Sequence, residues 1–134
     1  MASSDCSIFA IVCDNPCGLE ASQLEALGVS VIPGALSSDA DQVGEFYRGI
    51  IESGAQKILS LHVNADFSDS LLTAKKACQN NPDISGSICL VDSGNMPTAM
   101  GIMLERLSVA RKSGASFEAA CAYAQELAEV VATM

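Results

Sequence analysis

Residues 59–78 read LSLHVNADFSDSLLTAKKAC. The stretch opens as a buried strand and closes as an amphipathic helix. Residues 57–63 (KILSLHV) are apolar and partly β-branched, as in a strand covered on both faces. From about residue 66 to 78, Phe67, Leu71, Ala74 and Cys78 recur at helical spacing. The joint between them, 64–70, is crowded with short polar side chains. A strand running straight into a helix is half of a βαβ unit, and this one decides the fold class.

The unit repeats along the chain. Residues 7–13 (SIFAIVC) read as a central parallel strand, and the turn cluster 14–18 follows. A short helix covers 19–27, with Leu24 and Leu27 on one face, and Gly28 ends it. Residues 29–33 (VSVIP) form the second strand. Ser37 and Ser38 cap a helix running to about residue 53, striped by Val43, Phe46, Tyr47 and Ile50. Residues 87–91 (SICLV) form the fourth strand. A helix over 97–112 carries Met100, Met103, Leu104 and Leu107 inward. Ser116 caps a last helix with Phe117, Ala120, Cys121, Ala124, Leu127 and Val131 facing the core. The order βαβαβαβαα predicts one three-layer α/β domain over 1–134, with a parallel four-stranded sheet and right-handed crossovers.

Bulk properties narrow the function. The 134 residues fit one core, and 49% of them are apolar. A formal charge of −9 with no basic cluster argues against nucleic acid. The apolar run near the N-terminus is too short for a signal peptide, and no run spans a membrane, so a cytoplasmic protein is expected. The six cysteines then read as reduced thiols. Cys13 and Cys17 are spaced C-x-x-x-C, neither the redox nor the common zinc spacing, and His62 is the one histidine. No metal, cofactor or catalytic residue is expected.

Ligands of open α/β sheets bind at the carboxyl ends of the strands. The polar segments 14–16, 33–38, 64–70 and 92–95 meet there, and three of them lead into helix N-termini. Hydroxyls beside helix N-termini suit a carboxylate or phosphate. The candidate ligand-binding residues are Asp14, Ser38, Asn64, Ser68, Ser70 and Ser93. Taken singly, Asp66, Ser68, Ser37 and Ser38 are equally ordinary helix caps. His62, one residue before the end of its strand, reads as a packed residue or as a phosphorylated or general-base histidine, and the sequence names no partner for it. No G-x-S-x-G, Walker loop or G-x-G-x-x-G is present.

Four blocks in order resemble the DegV family. IVCDNPCGL is similar to the family's I-V-T-D-S-T-A-D-L, keeping Asp14 and Leu19. VSVIP is similar to V-x-V-V-P-L. ILSLHVNADFSDSLLTAKKA is similar to I-L-S-I-H-I-S-S-x-L-S-G-T-Y-x-S-A, sharing Ile58, Leu59, Ser60, His62, Ser68 and Ala74. CLVDSGNMPTAMG is similar to V-I-D-S-x-x-x-S-x-G-x-G, keeping Asp92, Ser93 and Gly101. The resemblance spans roughly residues 8–132 and implies the family's N-terminal domain, with a deletion after the second strand. It implies bacterial proteins that bind fatty acids and partner a fatty acid kinase. Family members are about twice as long and hold the acyl chain between two domains. The family's T-S-Q-P-S loop has no clean match, with Ser37 or Ser38 standing in. Asn64 and Ala65 replace paired serines, and Asp69 and Ser70 replace Gly and Thr. Asp69 would repel a carboxylate head.

Three functions follow as expectations. The first is non-enzymatic binding of a fatty acid or similar amphiphilic carboxylate, completed by a second copy of the chain or a kinase-type protein partner. It predicts a tunnel lined by Met96, Met100, Leu104, Leu36 and Phe67. The second is a lipid-free interaction or regulatory domain. The third is a phosphotransfer subunit using His62, which requires that residue exposed at the rim beside an orienting group.

Overall fold

The computed structural model describes residues 9–14, 19–34, 38–66, 68–95 and 97–132. Its elements are β1 (Phe9–Cys13), α1 (Ala21–Leu27), β2 (Val29–Val31), α2 (Ala40–Glu52), β3 (Lys57–His62), α3 (Ser70–Asn80), α4 (Pro82–Ser85), β4 (Ile88–Asp92), α5 (Pro97–Lys112) and α6 (Phe117–Ala132). The four strands form one parallel sheet in the order β2-β1-β3-β4. The predicted α/β class and strand count hold.

Alternation along the strands divides the core in two. Phe9, Ile11, Cys13, Leu59, Leu61 and Val91 pack against α1, α5 and α6, where Met100, Met103, Leu104 and Leu107 are fully buried. Each such side chain contributes about 2 kcal/mol of apolar burial. Val12 and Ile58 point the other way, toward Val43 and Tyr47 of α2, Ala74 and Ala77 of α3, and Ile84 of α4. The central strands β1 and β3 are therefore apolar on both faces, which explains their unbroken hydrophobic runs.

Several boundaries differ from the sequence-based expectation, each for a local reason. The order is βαβαβααβαα, because Asn81 leaves the helical region (φ −132, ψ 67) and Pro82 restarts a four-residue helix. Proline lacks the N–H that would continue α3, disfavours a helical residue before it, and fits a first helical position. The cap of α2 is Asp39, whose Oδ1 accepts from the N–H groups of Asp41 (3.0 Å) and Gln42 (3.3 Å), rather than Ser38, and Ser37 lies outside the described residues. α3 begins at Ser70 and not near residue 66, because Asn64 Oδ1 accepts the N–H of Asp66 (2.9 Å) and folds a turn ahead of the helix. Gly28 ends α1 in the left-handed region (φ 73), and Ser116 Oγ accepts the N–H of Ala119 at the start of α6 (3.1 Å), both as expected.

From β1 the chain steps outward to β2 and then crosses back over β1 to β3. The carboxyl ends of β1 and β3 consequently flank the point where the strand order reverses, the place where open α/β sheets leave a crevice.

Candidate functional site

The register at that point sets the chemistry. Cys13 lies opposite Leu61, so the next pair along is Asp14 beside His62. Both project on the α2/α3 face, as does Ser60, two residues before His62. A buried polar chain results. Tyr47 Oη and Ser60 Oγ are 2.8 Å apart, Ser60 Oγ and His62 Nε2 2.8 Å, and His62 Nδ1 and Asp14 Oδ1 2.9 Å. Asp14 Oδ2 accepts the N–H of Val63 (2.6 Å) and the hydroxyl of Ser70 (2.7 Å). Tyr47, Ser60 and His62 are fully buried, while Asp14 and Ser70 retain 3% and 8% exposure.

Burial by itself raises the Asp14 pKa. The hydrogen bond and charge of His62, the Val63 N–H and the Ser70 hydroxyl outweigh it, so the carboxyl titrates below its ordinary value. An ionised Asp14 only accepts, which fixes a proton on His62 Nδ1. Ser60 Oγ bridges His62 Nε2 and the Tyr47 hydroxyl, 2.8 Å from each. The chain is thus closed, from the phenol at one end to the carboxylate at the other. Among the described residues no buried side-chain nitrogen or oxygen lacks a partner.

A second set of bonds ties β3 to the end of β4. The Ser93 N–H donates to His62 O (2.8 Å) and the Asn64 N–H to Asn95 O (3.0 Å). Ser93 Oγ donates to Asn95 O (3.2 Å) and accepts the Asn95 N–H (3.1 Å). The Asn64 amide donates to Gly94 O (3.3 Å). Nearer solvent, Ser68 Oγ accepts the Ser70 N–H (3.2 Å). Asp69 makes no side-chain cap to α3.

The structure thus brings together five of the six predicted residues. Asp14 and Ser70 share one hydrogen bond, Ser93 and Asn64 flank them through β3 and β4, and Ser68 sits at the rim. Ser38 is exposed ahead of α2 and shares no hydrogen bond with the other five. The network also includes Tyr47 and Ser60, which sequence reasoning treated as core positions. A phenol on an otherwise apolar helix stripe was the signal, since its hydroxyl must find a partner when buried.

Two expectations are corrected. His62 does have a partner, Asp14, but it is fully buried with both ring nitrogens engaged, so the exposed rim histidine required for phosphotransfer is not present. Met100 and Leu104 are fully buried core residues and do not line an open tunnel, while Met96, Leu36 and Phe67 lie outside the described residues. A groove of about 550 Å³ beside α1 and β2, lined by Ala21, Ser22, Leu24, Glu25, Val29 and Val31, contains none of the predicted residues. No group of three or more His, Cys, Asp or Glu among the described residues is placed to hold a metal ion, and no described helix is long and apolar enough to cross a membrane.

No protein-family model matches the sequence, and no curated protein does. Solved structures do match. A fatty-acid-binding DegV family protein from Thermus thermophilus superposes with a TM-score of 0.75 at 22% identity, covering 90% of this chain and 53% of its own. The DegV family protein Cg2579 from Corynebacterium glutamicum gives 0.78 at 20%, covering 94% and 51%. DegV from Bacillus subtilis, a fatty acid binding protein, gives 0.73 at 14%, covering 90% and 54%. The chain has the fold of a DegV N-terminal domain and spans about half the length of these proteins.

Proposed function

We propose that the chain binds a fatty acid or a similar amphiphilic carboxylate at the carboxyl edge of its sheet, without acting chemically on it. The observation that carries this reading is the start of α3. Asp69 gives it no side-chain cap, Ser68 Oγ accepts the Ser70 N–H, and it stands beside half-buried Ser68 and Asn64 on a fold shared with fatty-acid-binding proteins. A helix start offers backbone N–H groups and a positive dipole end to an anion. In this reading Ser68 and Asn64 reach the head group, Ser38 approaches from the α2 side, and Asp14, Ser70 and Ser93 form the floor. The negative charge of Asp14 is already offset by its three donors, which lowers the repulsion an incoming carboxylate would meet. Leu72, in the first turn of α3 and 53% exposed, offers apolar surface to the start of an acyl chain. The rest of the acyl wall comes from further polypeptide, and a second copy of the chain is the simplest source.

One observation favours a second reading, a lipid-free interaction domain. The polar side chains of Asp14, Ser70 and Ser93 are all committed to internal bonds. Denaturing mass spectrometry of lipid extracted from the purified chain separates the two, before and after incubation with oleate and palmitate. A stoichiometric fatty acid is expected. Ser68→Ala should then weaken binding about tenfold, the value of one hydrogen bond to a charged group. A chain that stays empty after incubation would leave the interaction domain as the better account.

A further inference from the structure

Among the described residues β2 is an edge strand, and its register shows which backbone groups face outward. Val12 lies opposite Ser30 and Cys13 opposite Val31, and the Ile32 N–H donates to Cys13 O (2.9 Å). The N–H and C=O of one strand residue point to the same side, and alternate residues share a side. Ser30 and Ile32 therefore turn their groups toward β1, and Val29 and Val31 turn theirs toward the open edge. Those outward groups have no hydrogen-bond partner among the described residues. The same two residues floor the groove of about 550 Å³, with Leu24 beside them and Ala21, Ser22 and Glu25 of α1 as its wall.

We propose that the β2 edge and the α1 wall form a docking groove for an extended segment of another protein, apolar at alternate positions and carrying a lysine or arginine on the groove side. This inference is independent of lipid binding, because the groove shares no residue with the carboxyl-edge site. Strand addition takes its affinity from main-chain hydrogen bonds and its specificity from pockets for alternate side chains. The β2 edge supplies both. In antiparallel pairing, a residue directly opposite Val29 or Val31 exchanges both main-chain bonds with it and points its side chain to the same face. Val29 and Val31 pack toward the α1 side of the sheet, so that face is the groove.

Charge selects the occupant. Glu25 is exposed on the wall and forms no ion pair among the described residues. The Arg111 guanidinium beside Gly28 is committed to the carbonyls of Phe9 (3.1 Å), Leu27 (3.0 Å) and Gly28 (3.1 Å). The uncommitted charge at the groove is therefore negative, on a chain of formal charge −9. Pairing β2 with the β2 of a second copy would set two such walls, and two such chains, against each other. A cationic side chain following the apolar ones finds Glu25 instead. The strand is three residues long, so its two outward residues offer two donors and two acceptors, and the contact is of the small, transient kind.

The test titrates the nitrogen-15-labelled full chain with the peptide acetyl-Val-Thr-Val-Thr-Lys-amide and reads amide chemical shifts. Both valines then lie on the groove side, followed by the lysine. Saturable shifts centred on the Val29 and Val31 amides are expected. The same peptide N-methylated at both valines loses the donors that face β2 and should leave those amides unmoved. Glutamate in place of the lysine should weaken binding about tenfold. Glu25→Gln should weaken the lysine peptide about threefold, the worth of one exposed ion pair. Shifts centred elsewhere, no shift at all, or equal binding of the N-methylated or glutamate peptide would overturn the proposal. So would Val29 and Val31 shifts that follow protein concentration without peptide, which would give the edge to a second copy. The peptide controls decide the matter on the unaltered chain, whatever the Glu25→Gln variant does to folding.

Discussion

Replacing Asp14 with alanine tests whether the buried chain holds the carboxyl edge of the sheet together. The substitution removes one acceptor group from three donors at once: the Val63 N–H at 2.6 Å, Ser70 Oγ at 2.7 Å and His62 Nδ1 at 2.9 Å. A buried donor left unsatisfied costs about 1–3 kcal/mol. The full sum is not expected, for two reasons. Ser70 Oγ already lies 3.4 Å from His62 Nδ1 and can turn to accept from it. Asp14 is also at the end of its strand, where water can reach the vacated space. The Val63 N–H, in a residue 6% exposed, is the donor with no such relief. The expected loss is about 3 kcal/mol, a large part of the roughly 5–15 kcal/mol of a typical domain. Urea unfolding followed by circular dichroism should show the midpoint falling by about 2 M at an unchanged slope. Asp14→Asn keeps one acceptor oxygen and should cost about half as much. A double-mutant cycle with Ser70→Ala should show coupling of about 1 kcal/mol. A loss below about 1 kcal/mol for Asp14→Ala would refute the reasoning, because the three bonds would then be replaceable by solvent.

Acid should weaken the same point. The folded Asp14 titrates below its ordinary 3.8, so its contribution is complete above about pH 5 and is lost as pH falls through the folded value; Asp14→Asn should flatten the acid limb of the stability profile. Gly28→Ala should cost about 2 kcal/mol in thermal or urea unfolding, because the left-handed φ of 73 is strained for alanine. Its new Cβ would also lie 2.7 Å from Arg111 Nη2, which donates to the carbonyls of Leu27 (3.0 Å) and Gly28 (3.1 Å).

The fold was legible because the strands and helices carry their own periods. Two-face burial of β1 and β3 appears as unbroken apolar runs, and the stripes of α5 and α6 place Met100, Met103, Leu104, Leu107, Ala120 and Ala124 where the core is. Short-range competition was harder to read. Ser37, Ser38 and Asp39 are all good caps, and only the actual first turn of α2 selects Asp39. The site was half legible. Parallel order put Asp14, Asn64, Ser70 and Ser93 at one edge, but pairing Asp14 with His62 depends on the register of β1 against β3. Two strands that are apolar on both faces do not fix that register by hydrophobic alternation. Tyr47 to Ser60 is a contact between a helix and a strand, and no spacing rule along the chain encodes it.

Ser60, His62 and Asp14 have the connectivity of a hydrolase triad, serine to one ring nitrogen and aspartate to the other, at 2.8 Å and 2.9 Å. Distance alone does not make a nucleophile. Ser60 Oγ is fully buried in the middle of β3, and Tyr47 Oη sits 2.8 Å from it where an attacked carbonyl would have to approach. A tetrahedral intermediate would also need backbone N–H donors aimed at its oxyanion, and the N–H groups within β3 belong to a strand paired on both sides. The same three residues instead satisfy one another and leave the Ser70 hydroxyl to pin the start of α3 against Asp14. A fluorophosphonate should therefore leave the mass of the native chain unchanged. The Tyr47→Phe variant, which frees one side of Ser60 without opening a path to it, should be equally inert. Phosphonylation of Ser60 in either protein would show that the strand opens to solvent. The buried chain would then have to be read as a reactive group held in reserve and not as a strut.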